Sequence, residues 1–187
     1  PLFLAVEKKH PLIVQYLLTK QVDVDVYNYN SNNTYASWNS NPEVKNIPLH
    51  EACANGSFDI VKALVDAGAN VNSGDERKRT PMYRAIRNGH KTLVEYLIAK
   101  HVDVNEEIID DHYTALHLAC SLRESDIAKV LIDAGADINH LVEENWVGVL
   151  TPFYLACNEN LTTLVEYMIA KSADLEVKNT TDGYTAL

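Results

Sequence analysis

Two His–Cys pairs are the side chains of this sequence whose types and spacing could do chemistry. His50 and Cys53 lie three positions apart in "HEAC", and His117 and Cys120 repeat that spacing in "HLAC". Residues at i and i+3 share one face of a helix, so each pair could supply two ligands of a tetrahedral zinc site. Both pairs occupy the same place in two similar segments, however. This favours a structural role, in which a histidine caps a helix and a small residue is buried behind it.

Two clusters of carboxylates offer a second kind of chemistry. They are "EEIIDD" at 106–111 and "VEEN" at 142–145. A hydrolase with paired carboxylates is the alternative they raise, but both clusters fall in segments predicted to be exposed, where charge is simply solvated. The sequence contains no G-x-S-x-G, phosphate-binding loop or H-E-x-x-H motif. We therefore predict no catalytic residue and no enzymatic activity.

The charge and the cysteines exclude several classes of partner. The 187 residues include 16 basic and 26 acidic side chains, for a net charge of −10. Nucleic-acid binding needs clustered Lys and Arg, so no nucleic acid is predicted as a partner. No apolar run reaches the roughly 18 residues of a membrane span, so no membrane insertion by this segment is predicted. Three cysteines without a CxxC spacing are typical of reduced thiols, which predicts an intracellular, cytoplasmic location.

The elements that would position these residues form a repeating pattern. "PLFLAV" begins at Pro1, "PLHEAC" at Pro48, "PMYRAI" at Pro81, "ALHLAC" at Ala115 and "PFYLAC" at Pro152. Each is followed by a second apolar helix period and then by a tail such as "GANVN" or "GADIN". The intervals between the starts are 47, 33, 34 and 37 residues, and "AL" at 186–187 begins a further copy.

A unit of about 33 residues with a T-P-L-H-x-A head resembles the ankyrin repeat. The resemblance covers essentially the whole chain and implies an all-α fold. That fold is an ankyrin-repeat solenoid of five helix-turn-helix repeats joined by β-hairpin-like fingers, with the start of a sixth. We predict one domain, 1–187, with repeats at about 1–26, 47–73, 80–106, 114–140, 151–177 and a partial one at 184–187, and an insertion at 27–46. The chain begins at Pro1 rather than Met and stops inside a repeat, so we expect it to be part of a longer array.

Individual residues explain the ends of the helices. Thr80, Thr114 and Thr151 stand where a hydroxyl can cap a helix start. Gly68 and Gly135 stand where the second helix ends in the left-handed conformation. Three other repeats carry side chains at that same place, at a cost of about 1 kcal/mol each if the backbone is kept; they are Gln21, His101 and Ser172.

The repeats alternate between two types. Repeats one, three and five share "VQYLLTK", "VEYLIAK" and "VEYMIAK" in the second helix, whereas repeats two and four share "VKALVDAG" and "AKVLIDAG". We call the first three odd-type and the other two even-type repeats. Layers of a solenoid lie roughly 10 Å apart, so the two His–Cys pairs of even-type repeats cannot complete one metal site or form a disulfide. We predict no metal and no cofactor.

Both tryptophans lie outside the predicted helices. Trp38 falls in the insertion, which holds many Asn residues and lacks a helical period, and Trp146 falls in a finger. Asn, Ser and Pro favour turns, so we expect the insertion to be an exposed loop. A tolerated insertion without function is the alternative.

The resemblance also implies where a partner binds. Ankyrin arrays bind proteins along their concave side, through finger tips and exposed positions of the first helix. The matching positions give ten predicted partner-binding residues: Arg77, Arg79, Arg84, Arg87, Asn88, Tyr113, Leu118, Leu122, Trp146 and Leu155. Arginine beside aromatic and apolar side chains is enriched at protein interfaces, so we expect a partner with an acidic segment followed by an apolar one. The alternative is that Arg84 and Arg87 only pair with Glu51 or with the acidic finger at 106–111.

Two broader hypotheses remain open at the level of sequence. The first is a protein–protein interaction module. The second is a structural or regulatory ankyrin segment of a larger enzyme, channel or effector protein. The resemblance further implies that Asn72, Asn105 and Asn139 are possible hydroxylation sites, because each lies eight residues after a leucine at the position that an oxygen-dependent hydroxylase modifies in ankyrin repeats. A hydrogen-bonding turn residue is the alternative role for all three.

Overall fold

The computed structural model describes residues 1–26, 46–75, 77–108, 112–144 and 148–175. Within these residues the chain forms ten short helices and one two-stranded antiparallel sheet. The helices are α1 (Leu2–Glu7), α2 (Pro11–Leu18), α3 (Pro48–Ala54), α4 (Phe58–Asp66), α5 (Pro81–Arg87), α6 (Lys91–Ile98), α7 (Ala115–Ser121), α8 (Ser125–Asp133), α9 (Pro152–Asn158) and α10 (Thr162–Ala170). The strands are β1 (Val142–Glu144) and β2 (Gly148–Leu150).

The contacts between Cα atoms divide the chain into two compact units, Pro1–Leu93 and Val94–Leu187. The division falls inside α6. The single domain predicted from the sequence therefore stays a prediction, and each unit is described by itself below. The predicted start of a sixth repeat at 184–187 lies outside the described residues, as does nearly all of the insertion at 27–46.

The first unit contains helical pairs that pack side by side. α1 packs against α2 and α3, α3 packs against α4 and α5, and α2 packs against α4. Its core consists of fully buried apolar residues from these helices, including Val6, Val14, Leu49, Leu64 and Ile86. Each helix is too short to be stable alone in water, so these contacts between pairs stabilise the unit.

The second unit repeats this arrangement. α7 packs against α8 and α9, and α10 packs against α8 and α9. The fully buried side chains include Leu116, Leu131, Phe153, Leu164 and Met168. Between α8 and α9 the finger forms the β1–β2 hairpin, in which Val142 pairs with Leu150 and Glu144 with Gly148. This finger therefore has the predicted hairpin form.

Two of the three predicted threonine caps form, at Thr80 and Thr151, whereas the Thr114 hydroxyl bonds to Nδ1 of His117 and makes no cap hydrogen bond. The hydroxyls of Thr80 and Thr151 accept hydrogen bonds from the backbone N–H groups of Tyr83 at 3.3 Å and Tyr154 at 3.0 Å. The second helices end in left-handed residues whether or not the residue is glycine; the φ values are 93° for Gly68, 92° for Gly135, 55° for Gln21, 62° for His101 and 68° for Ser172. The left-handed conformation predicted for Gly68 and Gly135 is confirmed, and the three repeats without glycine have the same backbone conformation at this position.

Within the described residues, no helix has the length and apolar character that crossing a membrane requires.

Candidate partner-binding surface

The finger of repeat three is organised around the carboxylate of Asp75. The side chain of Asp75 is only 1% exposed. Its Oδ1 accepts hydrogen bonds from the backbone N–H groups of Arg77 at 2.9 Å and Arg79 at 3.0 Å. Its Oδ2 accepts from Nε of Arg79 at 2.7 Å and lies 3.4 Å from Nη2 of Arg84. One buried carboxylate thus fixes the turn of the finger and joins it to α5.

Arg84 is largely buried by this arrangement. Its side chain is 18% exposed. Burial, together with the charge of Arg79, lowers the pKa of the Arg84 guanidinium, while Asp75 opposes that effect. The expectation that Arg84 lies exposed on the surface of α5 is wrong, because the finger folds over the helix and places Asp75 against it. Its hydrogen-bond partner in the first unit is Asp75, and residues 109–111 of the acidic finger lie outside the described residues.

Two other predicted residues of this unit, Arg87 and Asn88, are exposed to solvent. Arg87 is exposed and donates a hydrogen bond from Nη1 to the hydroxyl of Tyr83 at 3.2 Å. Asn88 is exposed and donates from Nδ2 to the carbonyl oxygen of Arg84 at 2.8 Å. Arg77 is half-buried, and Lys78, which the sequence did not single out, is exposed. We call Arg77, Lys78, Arg87 and Asn88 the basic surface of the first unit.

In the second unit the predicted residues divide into buried and exposed ones. Leu118 and Leu155 are 7% and 8% exposed, whereas Leu122 is 39% exposed. The expectation that Leu118 and Leu155 are exposed is wrong, because α7 and α9 are covered on almost every side and these leucines belong to the core. Tyr113 is half-buried and stacks on the His117 ring, with 5.3 Å between the ring centroids. Trp146 lies outside the described residues.

The two repeat histidines are bonded within the scaffold. Nδ1 of His50 accepts from the backbone N–H of Ile47 at 3.3 Å, and its Nε2 lies 2.8 Å from the carbonyl oxygen of Ser73. Nδ1 of His117 lies 2.9 Å from the hydroxyl of Thr114 and accepts from the N–H of the same residue at 3.3 Å. Burial lowers the pKa of both histidines to about 4. These contacts support the structural role over the zinc ligand.

The cysteines that accompany them are free and largely buried. Cys53 and Cys120 are buried, and Cys157, at the matching position of repeat five, is half-buried. Burial raises the pKa of the Cys120 thiol to about 12 and raises that of Cys53 further above its usual range. Across the described part of the chain, no three His, Cys, Asp or Glu side chains converge on a point where a metal ion could bind.

Among the residues of the two carboxylate clusters, Glu107 contacts two histidines. Glu107 accepts a hydrogen bond from Nδ1 of His112 at 3.1 Å and lies 3.1 Å from Nε2 of His140. The hydrogen bond with His112 is the main reason that the pKa of the Glu107 carboxyl is lowered. The lowered pKa favours the ionised form of Glu107, and the absence of a catalytic carboxylate stays a prediction.

Two of the asparagines predicted as hydroxylation sites, Asn105 and Asn139, connect neighbouring fingers. Oδ1 of Asn105 accepts from the backbone N–H of Asp137 at 2.8 Å, and Oδ1 of Asn139 accepts from that of Asp174 at 2.8 Å. In the first unit Asp25 takes the same position, and its carboxylate lies 3.4 Å from the N–H of Asn70. We call each of these contacts a rung. The rungs give these side chains a structural role, and hydroxylation of Asn72, Asn105 and Asn139 stays a prediction.

A comparison with known protein families identifies the class. The family described as "ankyrin repeats (3 copies)" matches residues 1–75 and 49–142, so the chain belongs to the ankyrin repeat family. Members of this family are in general non-catalytic modules that bind other proteins. The chain is also similar to human transient receptor potential cation channel subfamily A member 1, with 38% identity over 138 residues. This match covers 72% of the chain but only 12% of the channel protein.

Proposed function

We propose that this chain is a protein–protein interaction module, and that the basic surface of the first unit binds an acidic segment of its partner. The observation that carries the proposal is the concentration of positive charge at this surface. Residues 77–87 contain five of the 16 basic side chains of a protein whose net charge is −10. Arg79 and Arg84 bind Asp75, and the other three, Arg77, Lys78 and Arg87, belong to the basic surface. A cluster of positive charge on an otherwise acidic protein attracts acidic segments of a partner and repels basic ones.

The contacts of Asp75 support a recognition role for this surface. A flexible finger would lose conformational entropy on binding, whereas a finger already fixed by a buried carboxylate loses little. Asp75 accepts hydrogen bonds from two backbone N–H groups and from two guanidinium groups at once. Arg77, Lys78 and Arg87 are therefore presented on a rigid support, and carboxylates are the groups that arginine binds best.

The second unit offers a separate apolar contact for a partner. Leu122 is an exposed large apolar residue at the C-terminal end of α7. Next to it, Arg123 pairs with Glu159 at 3.4 Å. An apolar side chain bordered by an ion pair resembles the apolar centre and polar rim of an interface. We propose Leu122 as a partner contact in its own right, and Trp146 remains a predicted contact.

The experiment uses peptide arrays probed with the purified chain. Peptides rich in Asp and Glu should bind, and the best of them is then measured by fluorescence anisotropy at several salt concentrations. Arg87→Glu should weaken binding by roughly 10-fold at low salt and less at high salt. Lys62→Glu is the matched control, because it makes the same charge change at an exposed position of α4. Equal losses for the two variants would refute a specific role for the basic surface.

A second candidate function is a regulatory segment of a larger membrane protein. The observation that favours it is the similarity to a cation channel subunit, of which the chain matches only a small part. The test is alkaline extraction of membranes from cells that produce the full-length protein. Retention in the membrane, together with a changed ionic current in Arg87→Glu, would support this function. Release of the full-length protein as a soluble species would exclude it.

A further inference from the structure

A groove lies between the second helices of repeats one and two, α2 and α4. Its volume is about 480 Å³, and all the residues that line it belong to the first unit. We call it the α2–α4 groove. On the α2 side it is lined by Leu12, and on the α4 side by Asp59, Lys62, Ala63 and Asp66.

The groove is open because α4 carries a small residue at its centre. In the second unit α10 packs against α8, as α4 packs against α2 in the first, and Tyr167 of α10 occupies the position that Ala63 has in α4. The hydroxyl of Tyr167 donates to Oδ1 of Asp133 on α8 at 2.6 Å, so the ring spans the two helices. Ala63 has only a methyl group there. The groove therefore follows from the residue type at position 63, between two repeats that both belong to the chain.

Leu12 gives the groove an apolar wall. Its side chain is 78% exposed. The other repeats carry Asp59, Thr92, Asp126 and Thr163 at this position, and all four are exposed as well. Because the position is exposed even in repeats that follow another repeat, the exposure of Leu12 does not result from its place near the start of the sequence. A single exposed leucine is ordinary on a protein surface, but one that lines a groove offers an apolar contact to a bound side chain.

The charged residues of α4 determine which partner chemistry fits. Asp59 and Asp66 are exposed, flank Ala63, and lie seven residues or about 10 Å apart along the helix. In the part of the chain that the structure describes, neither side chain forms a hydrogen bond or an ion pair. Asp66 is the last residue of α4, where the helix dipole disfavours a negative charge and a cation from a partner would offset that effect. Lys62 is the one basic side chain that lines the groove, which leaves two carboxylates to one ammonium group.

The spacing of these groups matches one face of a helix. Residues at i, i+4 and i+7 share a face, and the first and last of them are about 10 Å apart, as Asp59 and Asp66 are. We propose that the α2–α4 groove binds a helical segment of a partner protein that carries Lys or Arg at i and i+7 and a large apolar or aromatic side chain between them. The apolar side chain lies over Ala63 beside Leu12, as the Tyr167 ring lies between α8 and α10, and the basic side chains bind the two aspartates. This segment is opposite in charge to the one proposed for the basic surface, so the two surfaces bind different segments.

The first test fills the groove from within the chain. Ala63→Tyr gives α4 the side chain that α10 carries at this position. If the groove is open, the thermal midpoint of the variant should be unchanged or raised, because no packed side chain has to move. A midpoint lowered by more than about 4 °C would show that the space is already occupied and would overturn the proposal.

The second test selects ligands with the intact chain. A displayed library of helical peptides is first depleted on the Ala63→Tyr variant and then enriched on the purified parent chain. The enriched peptides should carry an apolar or aromatic residue with Lys or Arg three or four residues away on both sides. Enriched peptides without this pattern, or no enrichment at all, would overturn the proposal.

Matched substitutions then assign the contacts of the best enriched peptide, as measured by fluorescence anisotropy. Asp59→Asn should weaken binding roughly 5-fold at low salt and less at high salt. Asp126→Asn makes the same change at the matching position of α8 and should have no effect. Leu12→Thr should also weaken binding and should leave the thermal midpoint within about 2 °C of the parent, since threonine occupies this exposed position in repeats three and five. Equal effects of the two asparagine substitutions would refute the assigned contact.

Charge reversal distinguishes the α2–α4 groove from the basic surface. Lys62→Glu adds negative charge to the groove and should tighten binding of the basic peptide several-fold, whereas Arg87→Glu makes the same charge change on the basic surface and should leave binding unchanged. Equal gains would mean that the net charge of the protein alone attracts the peptide, and would overturn the proposal. Sedimentation of the chain without peptide should show a monomer. A dimer that Ala63→Tyr dissociates would instead make a second copy of this chain the occupant and overturn the proposal.

Discussion

Replacing Asp75 by alanine should be among the most damaging substitutions in the first unit. The change leaves the guanidinium of Arg84 without its carboxylate while the Arg84 side chain stays mostly buried, at 18% exposed. Removing one partner of a buried ion pair costs about 3–5 kcal/mol. Two backbone N–H groups, those of Arg77 and Arg79, also lose their acceptor. Because water can reach part of this site, we expect a loss of about 3 kcal/mol in the free energy of unfolding.

The assay is urea denaturation at pH 7 followed by far-ultraviolet circular dichroism. For a slope of about 2 kcal/mol per molar urea, the loss moves the midpoint by roughly 1.5 M. Asp133→Ala is the matched control, because Asp133 also binds a basic side chain, at 2.8 Å, but is 57% exposed. Exposed ion pairs contribute about 1 kcal/mol or less, so this midpoint should move far less.

Two further variants separate charge from hydrogen bonding at this site. Asp75→Asn keeps an acceptor for the backbone but removes the charge, so its loss should be intermediate. Combining Asp75→Ala with Arg84→Met removes the stranded charge and should restore part of the stability. The reasoning is refuted if Asp75→Ala costs no more than Asp133→Ala, or if Arg84→Met only adds its own loss to that of Asp75→Ala.

Three other substitutions or treatments test the scaffold. Burial lowers the pKa of His50 from its ordinary value of 6.5 to about 4, so its contribution to stability is complete above pH 6.5 and is lost as the pH falls towards 4. His50→Gln should flatten a stability–pH profile by up to about 1.4 kcal/mol per pH unit in that window, and an unchanged slope would contradict the effect of burial. Asn105→Ala removes two hydrogen bonds to the next repeat and should lower the free energy of unfolding by about 1–2 kcal/mol in a denaturant melt. Asn158→Ala, at an exposed helical position, is the control. A loss for Asn105→Ala no larger than that of the control would contradict the role of the rung. Iodoacetamide should label Cys157 before the other two cysteines in the native chain and all three in denaturant, as followed by peptide mass spectrometry; equal native rates would contradict the difference in burial.

The repeated sequence made the helical scaffold predictable. Five versions of one unit identify the position where the chain must turn left-handed, even where the residue is His101 or Ser172 rather than glycine. A single repeat would have predicted a break or a different turn at those residues, because non-glycine residues seldom adopt positive φ. The same comparison predicted the capping role of His50, although it did not identify the carbonyl oxygen of Ser73 as its second partner.

The surface was less predictable, because position on a helix does not determine burial. The spacing of Arg84 and Arg87 places both on α5, but only the fold of the finger brings Asp75, nine residues earlier, against one of them. Leu118 and Leu155 illustrate the same limit. A helical period in the sequence identifies which residues share a face of a helix. It does not show whether that face is buried, because burial also depends on the fingers and loops, which have no sequence period. Leu122, four residues after Leu118, does stay exposed.

The rungs between fingers have a consequence for how such a protein changes its length. Each rung needs only an acceptor side chain from one repeat, such as Asn105 or Asn139, and a backbone N–H from the next. Every residue type except proline supplies that N–H, so the receiving repeat needs no matching side chain. A gene segment that encodes one repeat therefore encodes both groups that the repeat needs, the acceptor side chain for the next finger and the backbone N–H for the preceding one. Duplication or loss of a repeat can preserve the linkage between fingers without a second, compensating mutation.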